Sequence, residues 1–228
     1  IDTKSRQLKF VPGLAESWRA VDDTTWEFTL RKGVSFHDGS TFTAADVIYS
    51  FKRLKDPETK APYAWRAGVI KELRAPDPYT VQYELNEPYS ELLLQLTMYT
   101  NAIHNKESVE SLGKDYGIKG IDGTGPWCFE SWQPRTEIVL KRHDAYKWGP
   151  SMYKNKGPVK FDKLSIKIVP EDASRVAAIM GGQFDLTHQV PLQFIDQVKS
   201  APTLTVQEAK PNFQLMYYGY KISRPMVS

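Results

Sequence analysis

Residues 24–30 alternate large apolar side chains with polar ones. Trp26, Phe28 and Leu30 fall on one side of an extended chain, and threonine and glutamate side chains fall on the other. A period of two that is rich in aromatic and β-branched residues predicts a half-buried β-strand. A chain with such a segment needs a second layer to cover the apolar side of its sheet.

A helical pattern follows this strand within a few turns of chain. Thr43 and Asp46 have the spacing of a capping box, in which each side chain can bond the free backbone amide of the other residue. Asp56-Pro57 ends the pattern, because the residue before a proline is disfavoured in a helix. The apolar residues that share one face of the predicted helix are Val47, Ile48, Phe51 and Leu54.

Strand and helix patterns remain mixed along the rest of the chain, which predicts the α/β class in its mixed α+β form. The further predicted strands are residues 34–36, a hairpin of 69–73 and 80–85, and 127–132, 137–141, 163–169, 184–186, 203–207 and 214–220. The further predicted helices are residues 88–96, 107–112, 173–180 and 192–198, and Gly181-Gly182 ends the third of them.

The length of 228 residues corresponds to between one and two domains, at about 150 residues each. Five glycines, at positions 113, 117, 120, 123 and 125, make residues 113–125 the most turn-rich part of the chain. We therefore place a domain crossing there, near residue 122.

Composition excludes several classes of function. The 30 basic and 27 acidic residues alternate along the chain and leave a net charge of +3, so a nucleic-acid partner is not expected. A single cysteine excludes an internal disulfide framework. No apolar run approaches the roughly 18 residues that a membrane span requires.

Signatures of catalysis or of metal binding are missing from the sequence. The four histidines, at 37, 104, 143 and 188, include no pair at helical spacing, so we predict no metal site, no cofactor and no catalytic residue. Cys128 lies between two aromatic residues of a predicted strand, where a buried inert thiol is expected. A cysteine-dependent enzyme using Cys128 is the alternative of a different class, and it requires a nearby histidine and a partly exposed thiol.

Several segments together resemble a known family. They are PGLAESW at 12–18, WEFTLR at 26–31, VSFHDGS at 34–40, FTAADVIYS at 42–50, GTGPW at 123–127, IVLKR at 138–142 and MGGQFD at 180–185. In this order, they resemble the family 5 extracellular solute-binding proteins, which serve peptide and nickel ABC importers.

The resemblance implies a two-lobed, type II periplasmic binding protein that carries an added smaller domain and closes over its ligand by hinge bending. Residues 1–122 would be the added domain and residues 123–228 part of the first lobe, with the opening strand and the second lobe absent from these 228 residues. The implied protein is a periplasmic monomer, not an enzyme. It captures a peptide-like ligand and delivers it to a membrane permease; a nickel chelate, an opine or an oligosaccharide is the alternative ligand.

The resemblance also implies four ligand-binding residues. Tyr63 aligns with a tyrosine that contacts the peptide in oligopeptide-binding relatives, and Tyr99 and Asn101 lie on a segment that walls the pocket. Arg142 matches an arginine that meets a ligand carboxylate in nickel-type relatives. The alternatives are that Tyr63 packs on Trp65, that Tyr99 and Asn101 lie in a solvent-facing loop, and that Arg142 is a structural ion-pair partner.

Overall fold

The computed structural model describes residues 9–188 and 190–207. The chain divides into two compact units, Ile1–Ile168 and Val169–Ser228. Within the described residues, no helix has both the length and the apolar character needed to cross a bilayer.

The first unit begins with a four-stranded antiparallel sheet in the order β1-β2-β4-β3. Its strands are β1 (Ala15–Ala20), β2 (Thr25–Leu30), β3 (Ile70–Asp77) and β4 (Thr80–Leu85). The predicted strand at 24–30 and the predicted hairpin are confirmed. Strand β1 was not predicted, because its side chains are at most half-buried and do not alternate between buried and exposed positions.

Helix α1 (Ala44–Lys55) packs on this sheet and starts where the capping pattern predicts. The backbone N–H of Thr43 donates to Asp46 Oδ2 at 2.8 Å, and the Thr43 hydroxyl donates to the same oxygen at 3.1 Å. The apolar side chains buried beneath the helix and its neighbouring loops include Phe28, Leu30, Phe36, Phe42, Val47, Val81, Tyr83 and Leu92. This core positions the loops described below.

Shorter elements connect the first sheet to the second. Helix α2 (Leu92–Leu96) begins later than predicted, because residues 86–91 form turns. Helix α3 (Lys106–Leu112) matches its prediction, and Asn105 caps it by accepting a hydrogen bond from the Ser108 N–H. The predicted strand at 34–36 was wrong, since the chain there makes a single bridge between Ser35 and Thr41.

The second sheet of the first unit contains β5 (Trp127–Gln133), β6 (Glu137–Arg142) and β7 (Lys163–Lys167), antiparallel in that order. All three were predicted. The domain crossing near residue 122 falls in the chain that joins the two sheets. As a boundary within a longer protein it stays a prediction.

The second unit contains α4 (Asp172–Met180) and α5 (Ile195–Ser200). Helix α4 ends at the predicted glycine pair, where Gly182 takes a φ of +71° that few other residues adopt. The predicted strands at 184–186 and 203–207 were wrong, because the backbone there is irregular and Leu186 is 81% exposed. The predicted strand at 214–220 lies outside the described residues.

Candidate functional site

An apolar pocket of about 530 Å³ opens in the first unit. Its lining includes residues of the first sheet and of α1, and residues from the segments 10–14, 61–63 and 93–104. The inner wall is buried core, including Phe28, Phe42 and Val81. Its volume lies within the usual range of small-molecule sites, about 300–1,000 Å³. We call it the tyrosine-rimmed pocket, for the two residues described next.

Tyr63 and Tyr99 line this pocket and are exposed, at 38% and 80% of their full surface, so they form its rim. Their rings meet edge to face, with centroids 6.2 Å apart. The Tyr99 hydroxyl lies 3.5 Å from the Tyr63 hydroxyl, and this interaction with Tyr63 raises the pKa of Tyr99. A hydrogen bond of that length is weak, so both hydroxyls are available to a ligand.

Arg66 supports the rim and was not predicted. Its guanidinium packs over Tyr63, 5.6 Å from the ring centroid, and over Trp65 at 4.8 Å. Its Nη1 donates to Gln95 Oε1 at 2.8 Å, while its buried Nε has no hydrogen-bond partner among the described residues. The sequence did contain a signal for it, because Arg66 closely follows Tyr63 and Trp65, a spacing that is compatible with cation–π stacking.

Asn101 also lines the pocket, in the short 3-10 turn Tyr99–Asn101. Its Nδ2 donates to the Gln95 carbonyl oxygen at 2.7 Å, which orients the side chain. The neighbouring Thr100 hydroxyl is a second polar group in the lining, buried and without a hydrogen-bond partner in the described part of the chain. An unpaired buried hydroxyl costs about 1–3 kcal/mol, so a ligand that bonds it gains affinity.

Arg142 is not part of the pocket lining. It lies at the end of β6, where its Nε donates to Asp144 Oδ1 at 2.6 Å and its Nη1 donates to Asp162 Oδ1. The structure therefore brings Tyr63, Tyr99 and Asn101 together and places Arg142 in a separate ion-pair cluster. This arrangement favours the structural alternative for Arg142, and a role in ligand binding stays a prediction.

A second cluster of chemical interest involves Cys128 and two histidines. One donor atom from each of His37, Cys128 and His143 lies within 4.8 Å of the other two. The helical-spacing test could not find this cluster, because its members come from three separate segments. Cys128 is only 8% exposed, and burial raises the pKa of its thiol. A buried protonated thiol does not meet the requirements of a nucleophile.

A family model of known proteins matches almost the whole chain. The model describes the bacterial extracellular solute-binding proteins, family 5 Middle, and it covers residues 9–228. The chain belongs to this family. The sequence resemblance is thereby confirmed over both compact units.

Relatives of this family 5 chain bind peptides and other small solutes. The Di/tripeptide-binding protein 1 of Pseudomonas aeruginosa is 30% identical over 237 residues, which cover 94% of this chain and 43% of that protein. Helicobacter pylori DppA in complex with the peptide STSA superposes with a TM-score of 0.72 at 29% identity, covering 84% of this chain and 40% of that one. MoaA of A. tumefaciens R10, in complex with mannopinic acid, gives a TM-score of 0.77 at 26% identity, covering 87% and 39%.

The relatives bear on two of the predictions, the fold class and the absence of an enzymatic function. The chain spans less than half the length of these relatives. Its fold is part of a type II periplasmic binding protein, and the predicted mixed α/β class is confirmed. The relatives are solute-binding proteins rather than enzymes, so the prediction of a non-enzyme is confirmed and the cysteine-dependent enzyme loses its support.

Proposed function

We propose that the protein containing this chain captures a short peptide, or a solute like one, in the periplasm and delivers it as a monomer to the permease of an ABC importer. The observation that carries the proposal is the tyrosine-rimmed pocket, because it combines an apolar interior with exposed hydroxyls at its rim. The peptides named for two of the relatives point to the same class of ligand.

The pocket suits a peptide with an apolar side chain. Burying that side chain contributes roughly 25 cal/mol for each Å² removed from water. The phenol groups of Tyr63 and Tyr99 both donate and accept hydrogen bonds, so they suit the N–H and C=O groups that every peptide carries. Asn101 adds an amide to the same rim. Such contacts favour peptides over other solutes while selecting weakly among peptide sequences.

Arg142 is proposed as a more distant contact, for a ligand carboxylate. A planar guanidinium binds a carboxylate through two parallel hydrogen bonds. The Arg142 guanidinium already donates hydrogen bonds to Asp144 and Asp162, so a ligand carboxylate would have to replace at least one of them. The contribution of Arg142 to affinity is therefore expected to be smaller than that of the rim.

The proposed domains determine in which form of the protein the ligand affinity has to be measured. We assign residues 1–122 to the added domain and residues 123–228 to part of the first lobe. A ligand closes a two-lobed protein only through contacts that are stronger in the closed state. Affinity must therefore be measured in the full-length protein, in which both lobes are present.

The first prediction concerns the rim. Changing Tyr63→Phe in the full-length protein removes one hydroxyl, and we expect the dissociation constant for a di- or tripeptide with apolar side chains to rise about threefold to tenfold. Changing Tyr99→Ala removes the ring as well, and we expect a rise of about tenfold or more. Isothermal titration calorimetry measures both constants.

The matched control is Tyr153→Phe, since Tyr153 is also exposed but does not line the pocket. We expect this change to leave affinity unaltered. Equal affinities for the wild type and both rim variants would remove the rim from the binding site. Binding of an opine, a nickel chelate or an oligosaccharide in place of peptides would select the alternative ligand class.

A further inference from the structure

The cluster of His37, Cys128 and His143 lies where three segments of the first unit meet. His37 follows β2 in a loop, Cys128 is the second residue of β5, and His143 comes directly after β6. One donor atom of each lies within 4.8 Å of the other two, and the two imidazole rings are edge to face at 4.9 Å. Two imidazoles and one thiol are therefore gathered in one place, and none of the three side chains lines the tyrosine-rimmed pocket.

The carbonyl oxygen of Gly125 orients both rings. It accepts hydrogen bonds from His37 Nε2–H at 3.1 Å and from His143 Nδ1–H at 2.9 Å, because a carbonyl oxygen cannot donate. In the neutral rings this leaves lone pairs on His37 Nδ1 and His143 Nε2. A backbone carbonyl that holds the opposite nitrogen is the usual support of a metal-binding histidine.

The three side chains differ in the hydrogen bonds that their remaining donor atoms already make. His37 Nδ1 accepts a 3.2 Å hydrogen bond from the Gly123 N–H. Within residues 9–188 and 190–207, by contrast, neither His143 Nε2 nor the Cys128 sulfur has a hydrogen-bond partner. His143 and Cys128 are both 8% exposed, so both side chains are largely shielded from bulk water. Three metal-ligating side chains that share one largely shielded position form a candidate metal site.

The donor set matches the chemistry of late first-row transition metals. Two imidazole nitrogens and one thiolate suit Zn²⁺ and its neighbours, whereas Mg²⁺ and Ca²⁺ prefer oxygen. Tetrahedral coordination at about 2.0–2.3 Å needs donor atoms closer together than 4.8 Å, so binding requires the three side chains to move towards one another. A cavity of about 500 Å³ borders His37 and Cys128 and reaches exposed Lys141, so it provides access and room for a water as fourth ligand.

We propose that His37, Cys128 and His143 bind one divalent late first-row transition-metal ion, of the class of Zn²⁺. On binding, the Cys128 thiol gives its proton to solvent and the metal takes the thiolate. The ion joins the loop after β2 to strand β5 and to the residue that follows β6, and it therefore stabilises the folded first unit. The site does not depend on the peptide-binding function proposed above.

The test uses the full-length protein after removal of metals with EDTA. We expect one added equivalent of Co²⁺ to produce the near-ultraviolet absorption of a cobalt–thiolate bond, and Zn²⁺ to displace it. Saturating Zn²⁺ should raise the melting temperature by several degrees, since a ligand that binds only the folded state stabilises it. Changing Cys128→Ser or His143→Asn should abolish the absorption and weaken Zn²⁺ binding by at least about 100-fold.

The matched control is His188→Asn, because His188 is exposed and belongs to the second unit. It should bind Co²⁺ and Zn²⁺ like the wild type. Absence of the cobalt–thiolate absorption in a folded wild-type protein would overturn the proposal. So would Zn²⁺ binding that Cys128→Ser and His143→Asn leave unchanged. Should Cys128→Ser prove unfolded without metal, Cys128→Ala, which adds no polar group to the site, provides the same comparison.

Discussion

Replacing Asn105 with alanine is expected to lower the free energy of unfolding by about 2–4 kcal/mol. The side chain of Asn105 is fully buried, with 0% exposure. Its Nδ2 has two N–H groups that three acceptors share, Asp122 Oδ2 at 2.6 Å, Asp38 Oδ2 at 2.8 Å and Ser40 Oγ at 3.0 Å, while its Oδ1 accepts from the Ser108 N–H at 3.3 Å. Alanine removes all four contacts and leaves two carboxylates facing each other without a donor between them.

The control for this prediction is Asn86→Ala. Asn86 is exposed, and its Nδ2 makes a single hydrogen bond to the Gly68 carbonyl oxygen at 2.9 Å. We expect a loss below about 1 kcal/mol, since surface substitutions usually have small effects. Urea denaturation of both variants measures the difference. Equal losses of unfolding free energy for Asn86→Ala and Asn105→Ala would show that the buried hydrogen bonds of Asn105 contribute no more to stability than the single exposed one of Asn86.

The same network makes a prediction about pH. Burial raises the pKa of Asp38, but hydrogen bonds from Ser40 and Asn105 outweigh it, and the net pKa lies below the ordinary 3.8. A depressed carboxyl pKa contributes stability that is present above the unfolded value and is lost as the pH falls through the folded value. Stability should therefore decline below about pH 4, and the decline should be shallower in Asn105→Ala, as urea denaturation at several pH values would measure. Parallel pH profiles for the two proteins would contradict this account.

The second large effect is expected for Phe42→Ala, at about 3–5 kcal/mol of unfolding free energy. Phe42 has 0% exposure, and its ring meets that of Phe36 edge to face with centroids 6.2 Å apart. Alanine leaves a cavity in the core that the surrounding sheet and helix cannot close completely. Because Phe42 also forms part of the inner wall of the tyrosine-rimmed pocket, the change enlarges that pocket.

Phe161→Ala is the matched control for Phe42→Ala. Phe161 is 55% exposed and packs on Trp127 at the surface, so we expect a loss of about 1 kcal/mol or less. Thermal and urea denaturation compare the two variants. Two similar losses would mean that Phe42 is not a central residue of the core.

The elements that could be predicted are those with a complete local pattern. Strand β2 alternates over its whole length and α1 carries a cap, an apolar face and a proline stop, so tertiary contacts reinforced what the local sequence favoured. Residues 184–186 are too short a run for periodicity to separate a strand from a loop. There the exposed Leu186 shows that an apolar residue need not be buried.

The candidate sites were harder to predict, because they join residues that are distant in sequence. Tyr63 and Tyr99 came from the family resemblance, and nothing in their spacing indicates that the rings touch. The contribution of Arg66 to the rim can be recognised only when the fold places its guanidinium over the ring of Tyr63. A search based on helical spacing could not find the cluster of His37, Cys128 and His143. Strand β5 positions Cys128 and strand β6 positions His143, so no helix sets the spacing between them.

The measurement that tests the central claim most directly is a pair of mass spectra, native and denaturing, of the full-length protein as purified. We predict an additional mass in the native spectrum alone that is released on denaturation and fragments as a short peptide. The protein stripped of this ligand should then bind di- or tripeptides in calorimetry. A released opine, sugar or metal chelate, or a stripped protein that binds no peptide, would contradict the account.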